Sequence, residues 1–183
     1  MRSIHSVEDV FEALAAGGGE AYFGEPVTVL EHSLQAAWFV QRKNASESLV
    51  VAALLHDLGH LLHEEGEDAA ERGLDTRHEE LGAIALSGRL PDAVLEPIRM
   101  HVDAKRYLCA ADARYFATLS PASVQSLTLQ CGPMTAEEAA AFLAKPFATD
   151  AVTLRNADDA AKVKDLRTPG LEAYEPLVAQ FWH

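Results

Sequence analysis

The chain has 183 residues, 49% of them hydrophobic, and a formal net charge of -13. That length and apolar content suffice for one well-buried core and fall short of two independent ones, so a single domain is expected over residues 1–183. The acidic balance provides no basic stripe, which argues against a nucleic-acid backbone or an anionic membrane as partner and leaves a small anion in a local cationic pocket.

The longest uninterrupted apolar run, Leu49 to Leu55, is too short to span a bilayer, and no basic segment leads into a signal-peptide core at the N-terminus, so a cytoplasmic protein is expected. Cys109 and Cys131 have no CxxC spacing and no small secreted context, and are expected to be reduced thiols.

In chain order, Ser6 and Asp9 form a capping-box pattern ahead of Val7, Val10, Phe11 and Leu14 at helical spacing; this helix is expected to stop at Gly17-Gly18-Gly19. The segment EAYFGEPVTVLEHSLQAAWFVQRK begins as a loop around Gly24 and Pro26. It becomes an amphipathic helix through Val29, Leu30, Ser33, Ala37 and Val40, with His32 in its first half and Tyr22 and Glu25 close enough to fold back over it. After Asn44, a helix carrying Val50, Val51, Leu54 and Leu55 delivers His56-Asp57, followed by Gly59 and His60. Polar groups that close an apolar run must find partners when buried. A metal ion satisfies both, because imidazole nitrogen and carboxylate oxygen are ordinary ligands.

The acidic stretch His63 to Asp75 reads as an exposed loop. TRHEELGAIAL then gives a helix with His78 in its first turn, and LPDAVLEPIRMHVDAKRYL another with His101 and Lys105 four residues apart on one face. SPASVQSLTLQCGPM starts a helix near Pro121, places Ser123 and Ser126 in one turn, and stops at Gly132-Pro133. Thr135 and Glu138 form another capping-box pattern before AAAFLA, which Pro146 ends. In the expected helix DAVTLRNADDAAKVKD, Arg155 and Asp158 face the same way. The tail, Gly170 to His183, carries Leu171, Tyr174, Leu177, Val178 and Phe181 for core or dimer-face packing. His5, His63 and His183 are given no role.

Taken singly, His32, His78 and His101 each fit a core or capped imidazole as well as a ligand. Taken together, His32, His56-Asp57, His78, His101 and Asp158 are spread over separate expected helices, and a helical bundle can converge such residues on its interior. Four histidines and two aspartates exceed what one tetrahedral zinc requires and suit two six-coordinate ions bridged by Asp57, with open positions left over.

This ordered pattern of H, HD and a late D resembles the HD-domain superfamily. His78 and His101, with Tyr22 and Glu25 in YFGE, Lys105 in HVDAK, and SPASVQSLTLQ, resemble more particularly the small HD-domain phosphonate oxygenases, mixed-valent di-iron enzymes related to inositol oxygenase. The match runs from about Tyr22 to Lys162. It departs from the family at Ala157, before the two aspartates, where a bulkier aromatic is favoured. The resemblance implies an all-α, single-domain HD-domain bundle with a buried dinuclear metal site, its metal-binding core at about 22–164 and a C-terminal packing helix at about 170–183.

The resemblance further implies one iron held by His32, His56, Asp57 and Asp158, and a second by Asp57, His78 and His101. Tyr22 would cap the second iron at rest, and Glu25 would pair with the displaced loop or lie near a substrate cation. Lys105, Arg155, His60, Ser123 and Ser126 would cradle a phosphonate, Lys105 sharing a catalytic role with Tyr22 and Glu25. The implied chemistry uses an Fe(II)/Fe(III) pair and O2 to cleave the carbon-phosphorus bond of 1-hydroxy-2-aminoethylphosphonate or its N-trimethyl analogue, giving phosphate and glycine or glycine betaine. Phe23 or Tyr115 could face the amine beside Glu25.

Two other readings follow from the same residues. An HD-type phosphohydrolase of nucleotides or other phosphoesters would also use two metals, to activate water, but has no evident use for Tyr22 with Glu25. A non-catalytic HD module binding a phosphorylated ligand would have no need to keep all six ligands.

Overall fold

A computed structural model describes residues 3–62 and 72–183. Its helices are α1 Val7–Gly17, α2 Val29–Arg42, α3 Glu47–Leu55, α4 His78–Leu86, α5 Asp92–Ala111, α6 Ala113–Phe116, α7 Pro121–Leu129, α8 Ala136–Leu143, α9 Ala148–Ala160 and α10 Glu175–Phe181, with 3-10 turns at Leu58–Leu61 and Leu171–Ala173. Among the described residues the only extended pairing is a single antiparallel bridge between Ala21 and Thr28, so the protein is all-α as expected. No helix among them is long and apolar enough to cross a membrane.

Local chemistry sets the helix starts. The capping boxes expected at Ser6/Asp9 and Thr135/Glu138 are both present, and Thr28/Glu31 forms a third that starts α2. Helix α3 buries seven of its nine residues, Leu49 to Leu55, which leaves it no polar face and puts it at the centre of the bundle. Helices α2, α5 and α9 pack around it, and α4 lies against α5. The tail joins the main core through the buried Tyr174 and Val178. Ala157 is fully enclosed there, where a larger side chain would need its neighbours to move.

One expectation changes. Helix α9 ends at Ala160 rather than running on to Asp165. The chain leaves the helix there because other elements claim its backbone. The Ala161 carbonyl accepts from His32 Nδ1, and Gln35 grips both the N–H and the C=O of Val163. Of the expected loop from His63 to Asp75, residues 63–71 lie outside the described residues, and residues 72–75 are exposed.

Gly59 is required by a close approach. The 3-10 turn after Asp57 lies directly on the start of α4, and a Cβ on Gly59 would meet the His78 carbonyl oxygen at 1.9 Å. Neither backbone can yield without moving His78. Gly59→Ala should therefore destabilise the protein by about 1–3 kcal/mol, the usual cost of overpacking. Urea denaturation of the two proteins checks this, and a midpoint equal to that of the parent would refute it.

Candidate metal centre and adjoining cavity

The interior converges on Asp57. Its Oδ2 lies 3.5 Å from His32 Nε2 and 3.4 Å from His56 Nε2, while its Oδ1 lies 3.3 Å from His78 Nε2 and 3.8 Å from His101 Nε2. Asp158 joins the first group, with Oδ1 3.5 Å from His32 Nε2 and Oδ2 4.0 Å from His56 Nε2. Helices α2, α4, α5 and α9 and the end of α3 thus supply two donor groups that share one carboxylate, all of it buried.

The outer ring nitrogens fix the histidine tautomers. His32 Nδ1 lies 2.8 Å from the Ala161 carbonyl, His56 Nδ1 2.8 Å from that of Ala53, and His101 Nδ1 2.7 Å from that of Ile98. A carbonyl can only accept, so each Nδ1 carries the hydrogen and each Nε2 turns a bare lone pair inward. His32 Nε2 and His56 Nε2 then face each other at 3.2 Å with two carboxylates beside them. Lone pairs so placed repel one another, and a cation between them turns the same atoms into ligands. The donor set, imidazole nitrogen with carboxylate oxygen, fits a divalent or trivalent first-row metal in each group. His78 differs in that its Nδ1 faces Glu79 Oε2 at 3.6 Å.

Electrostatics agree with this arrangement. Burial pulls the pKa of His32 down to about 4 and that of His101 well below its ordinary value, so both stay neutral and able to ligate. For His78 burial acts in the same sense, but the hydrogen bond to Asp57 and the charges of Asp57 and Glu79 together outweigh it and the pKa rises. Burial opposes ionisation of Asp57 and Asp158. The surrounding imidazoles, His78 among them through a hydrogen bond, overcome it for Asp57, and the Arg155 guanidinium does so for Asp158, so both remain carboxylates.

Beside the donors lies a cavity of about 380 Å³. Tyr22 closes its metal end. The Tyr22 ring stacks on His32 with centroids 3.9 Å apart, and its hydroxyl donates to Asp57 Oδ2 at 2.8 Å. Burial and the Asp57 charge keep the phenol protonated. The hydroxyl therefore sits on the oxygen that faces His32 and His56, whereas the family resemblance implies a place on the His78/His101 side. Phe23, Glu25, His60, Lys105, Ser123, Ser126 and Arg155 also line the cavity. His60 stacks on His78.

Their partners differ from expectation. Arg155 is bonded to Asp158 at 2.8 Å and to Asp159 and Tyr115, so its charge is largely committed to holding Asp158. Tyr115 is absent from the cavity wall; its hydroxyl donates to Asp159, which makes it a brace for Arg155 rather than a face for an amine. Lys105 Nζ donates to Ser126 Oγ at 2.8 Å, and burial, then repulsion from Arg155, pulls its pKa down to about 7. Glu25 lies 3.2 Å from Lys162, a cavity-lining residue that the sequence reading passed over because a lysine in AAKVK has no motif to mark it. His5 is exposed, Cys109 and Cys131 are free thiols, and the His183 N–H donates to the Arg89 carbonyl.

Comparison with known proteins follows the same line. The profile of the HD domain matches residues 29–148. The chain is 44% identical over 161 residues to the [1-hydroxy-2-(trimethylamino)ethyl]phosphonate dioxygenase (glycine-betaine-forming) of Leisingera caerulea, covering 88% of this chain and 82% of that one. It is 46% identical over 173 residues to the hydroxymethylphosphonate dioxygenase of Gimesia maris, covering 94% and 86%. It is also 30% identical over 180 residues to an uncharacterised protein of Acanthamoeba polyphaga mimivirus, covering 97% and 82%.

Two outcomes are expected of this geometry. Because Asp57 serves both donor groups, Asp57→Ala should lose metal from both; elemental analysis finding full occupancy would remove Asp57 from its shared position. Because Lys105 is charged only below its lowered pKa, sulfate, whose own charge is fixed, should bind about tenfold more weakly as the pH rises from about 6 to about 8.5. Lys105→Arg should abolish that dependence in a calorimetric titration, and a slope unchanged by the substitution would assign the titration elsewhere.

Proposed function

The chain belongs to the HD-domain family, and from that membership we propose that it is a di-iron dioxygenase that uses O2 to cleave the carbon-phosphorus bond of a small 1-hydroxyphosphonate. The observation that carries the reading is Asp57 shared between two histidine groups at the end of a cavity lined by lysines and hydroxyls. The names of the two dioxygenase relatives supply the substrate class. The substrate family includes 1-hydroxy-2-aminoethylphosphonate, its N-trimethyl analogue and hydroxymethylphosphonate.

The overall change is balanced by O2 alone. Both oxygen atoms enter product: the hydroxylated carbon leaves as a carboxylate and phosphorus as phosphate. When bound, the iron pair would activate O2 and give the substrate oxygens a Lewis-acidic seat, the electrons that reduce O2 coming from the substrate carbon. His32, His56, Asp57 and Asp158 would hold one ion, and Asp57, His78 and His101 the other.

The remaining side chains position and exclude. Lys105 with Ser126, and Ser123 one turn earlier, present N–H and O–H donors to the phosphonate, as an anion entering a protein of charge -13 requires. Arg155 holds Asp158 in place and keeps it ionised. Tyr22 covers the shared carboxylate and keeps solvent from it until substrate takes its place. Glu25, on the turn beside Tyr22, is placed to receive a cationic substituent if the substrate carries one. Catalysis then depends on fixed geometry around the reacting carbon.

The test is an oxygen-electrode assay of the iron-loaded protein with the three hydroxyphosphonates, following phosphate in parallel. Phosphate release matched by O2 uptake with at least one substrate is expected. Phosphate release from a phosphoester without O2 uptake would replace the dioxygenase by a hydrolase.

A further inference from the structure

Three of the four histidines at the centre turn Nδ1 to a main-chain carbonyl, whereas His78 turns it to a carboxylate. The difference begins in the chain. Arg77 takes a left-handed conformation, with φ 50°, to start α4, and His78 and Glu79 are the first two residues of that helix. No helical turn therefore lies behind His78 to offer a carbonyl, as Ala53 does for His56 and Ile98 for His101. The ring is held in other ways. His60 stacks on it with centroids 3.9 Å apart, and the His78 main chain lies against Gly59.

Glu79 Oε2 is buried and accepts no hydrogen bond, although it faces His78 Nδ1 at 3.6 Å, just beyond bonding distance. A buried carboxylate oxygen without a donor is unfavourable, so its retention points to a donor that appears only when His78 is a ligand. His78 Nε2 faces the lone pair of His101 Nε2 at 3.0 Å and Asp57 Oδ1 at 3.3 Å, which places the ring hydrogen on Nε2. An ion among these donors takes the Nε2 lone pair. The ring hydrogen then belongs on Nδ1, and Glu79 Oε2 is the acceptor in front of it.

The two donor groups are also unequal in charge. Asp57 is common to both and Asp158 joins His32 and His56, but among the described residues no second carboxylate meets the inward nitrogens of His78 and His101. A carboxylate behind His78 supplies that negative charge from the far side of the ring.

We propose that Glu79 is a positioning residue for the ion held by Asp57, His78 and His101: it accepts from His78 Nδ1 once Nε2 has become a ligand, and its charge makes His78 the stronger donor. This role rests on two ions at the centre, as the dioxygenase reading does, and holds whatever reaction they support. A side chain that only starts α4 or fills space would act on stability and on neither ion in particular.

The test is an anaerobic titration of the full-length protein with Fe(II) against a competing chelator, which resolves the two equivalents. Glu79→Ala should raise the Kd of one equivalent about tenfold or more, the usual effect of removing an outer partner of a ligand, and leave the other within about threefold. His78→Ala should weaken the same equivalent. Adding Glu79→Ala to it should cost less than about threefold more, because Glu79 acts through His78. Glu79→Gln keeps an acceptor without the charge, so its affinity should fall between those of the parent and Glu79→Ala. Its iron should also be easier to reduce, with about a tenfold higher Fe(II)/Fe(III) ratio at a fixed potential. Equal weakening of both equivalents, additivity with His78→Ala, or an unchanged redox ratio in Glu79→Gln would overturn the proposal. If Glu79→Ala is misfolded by circular dichroism, the redox ratio of Glu79→Gln decides. Failure of the parent to take up two equivalents would overturn it together with the dioxygenase reading. Selective weakening without O2 uptake on any hydroxyphosphonate would refute the dioxygenase and leave Glu79 in its role, and O2 uptake with both equivalents weakened alike would do the reverse.

Discussion

The lone pairs and carboxylate oxygens that surround Asp57 cannot share a dry interior unless positive charge sits among them. His32 and His56 are locked as Nδ1–H tautomers by main-chain carbonyls, so neither can relieve the contact between their Nε2 atoms by donating a proton. Leaving several uncompensated acceptors in such a place costs several kcal/mol, a large part of the stability of a domain this size. Metal and fold are therefore mutually dependent: the helices bring the donors together, and the ions make that convergence favourable.

The same carbonyls do structural work at the ends of helices. Ala53 and Ile98 each lie one turn before the histidine they orient, so α3 and α5 aim their own ligands. Ala161 is different, because it reaches across the bundle to His32 and in doing so ends α9. That one hydrogen bond fixes a ligand, terminates a helix and starts the segment from which Lys162 enters the cavity.

Charge is divided between surface and interior. The acidic exterior repels polyanions, while the cavity presents Lys105 and Lys162 over serine hydroxyls. Arg155, which by type is the stronger phosphonate binder, is bound to Asp158 and Asp159 and braced by Tyr115. It holds Asp158, whereas the lysines bond the serine hydroxyls of the cavity. A short turn from Tyr22 to Glu25 links the two, since its first residue touches Asp57 and its last touches Lys162.

Much of this was legible in the chain itself. Capping boxes and apolar spacing placed most helices, because the forces that start and stop a helix act within a few residues. The adjacent His56 and Asp57, closing an apolar helix, identified the centre of the site, since covalent neighbours stay neighbours in any fold. What the tertiary structure alone decided involves separations that no local pattern encodes. These include which oxygen of Asp57 faces which pair of histidines, the commitment of Arg155 to aspartates, the turning of Tyr115 away from the cavity, and the place of Lys162. His32 and Ala161 are 129 positions apart, and only packing of α2 against α9 makes them partners. Residue type and short spacing set the chemistry available to this protein; the packing of helices set which atoms it was available to.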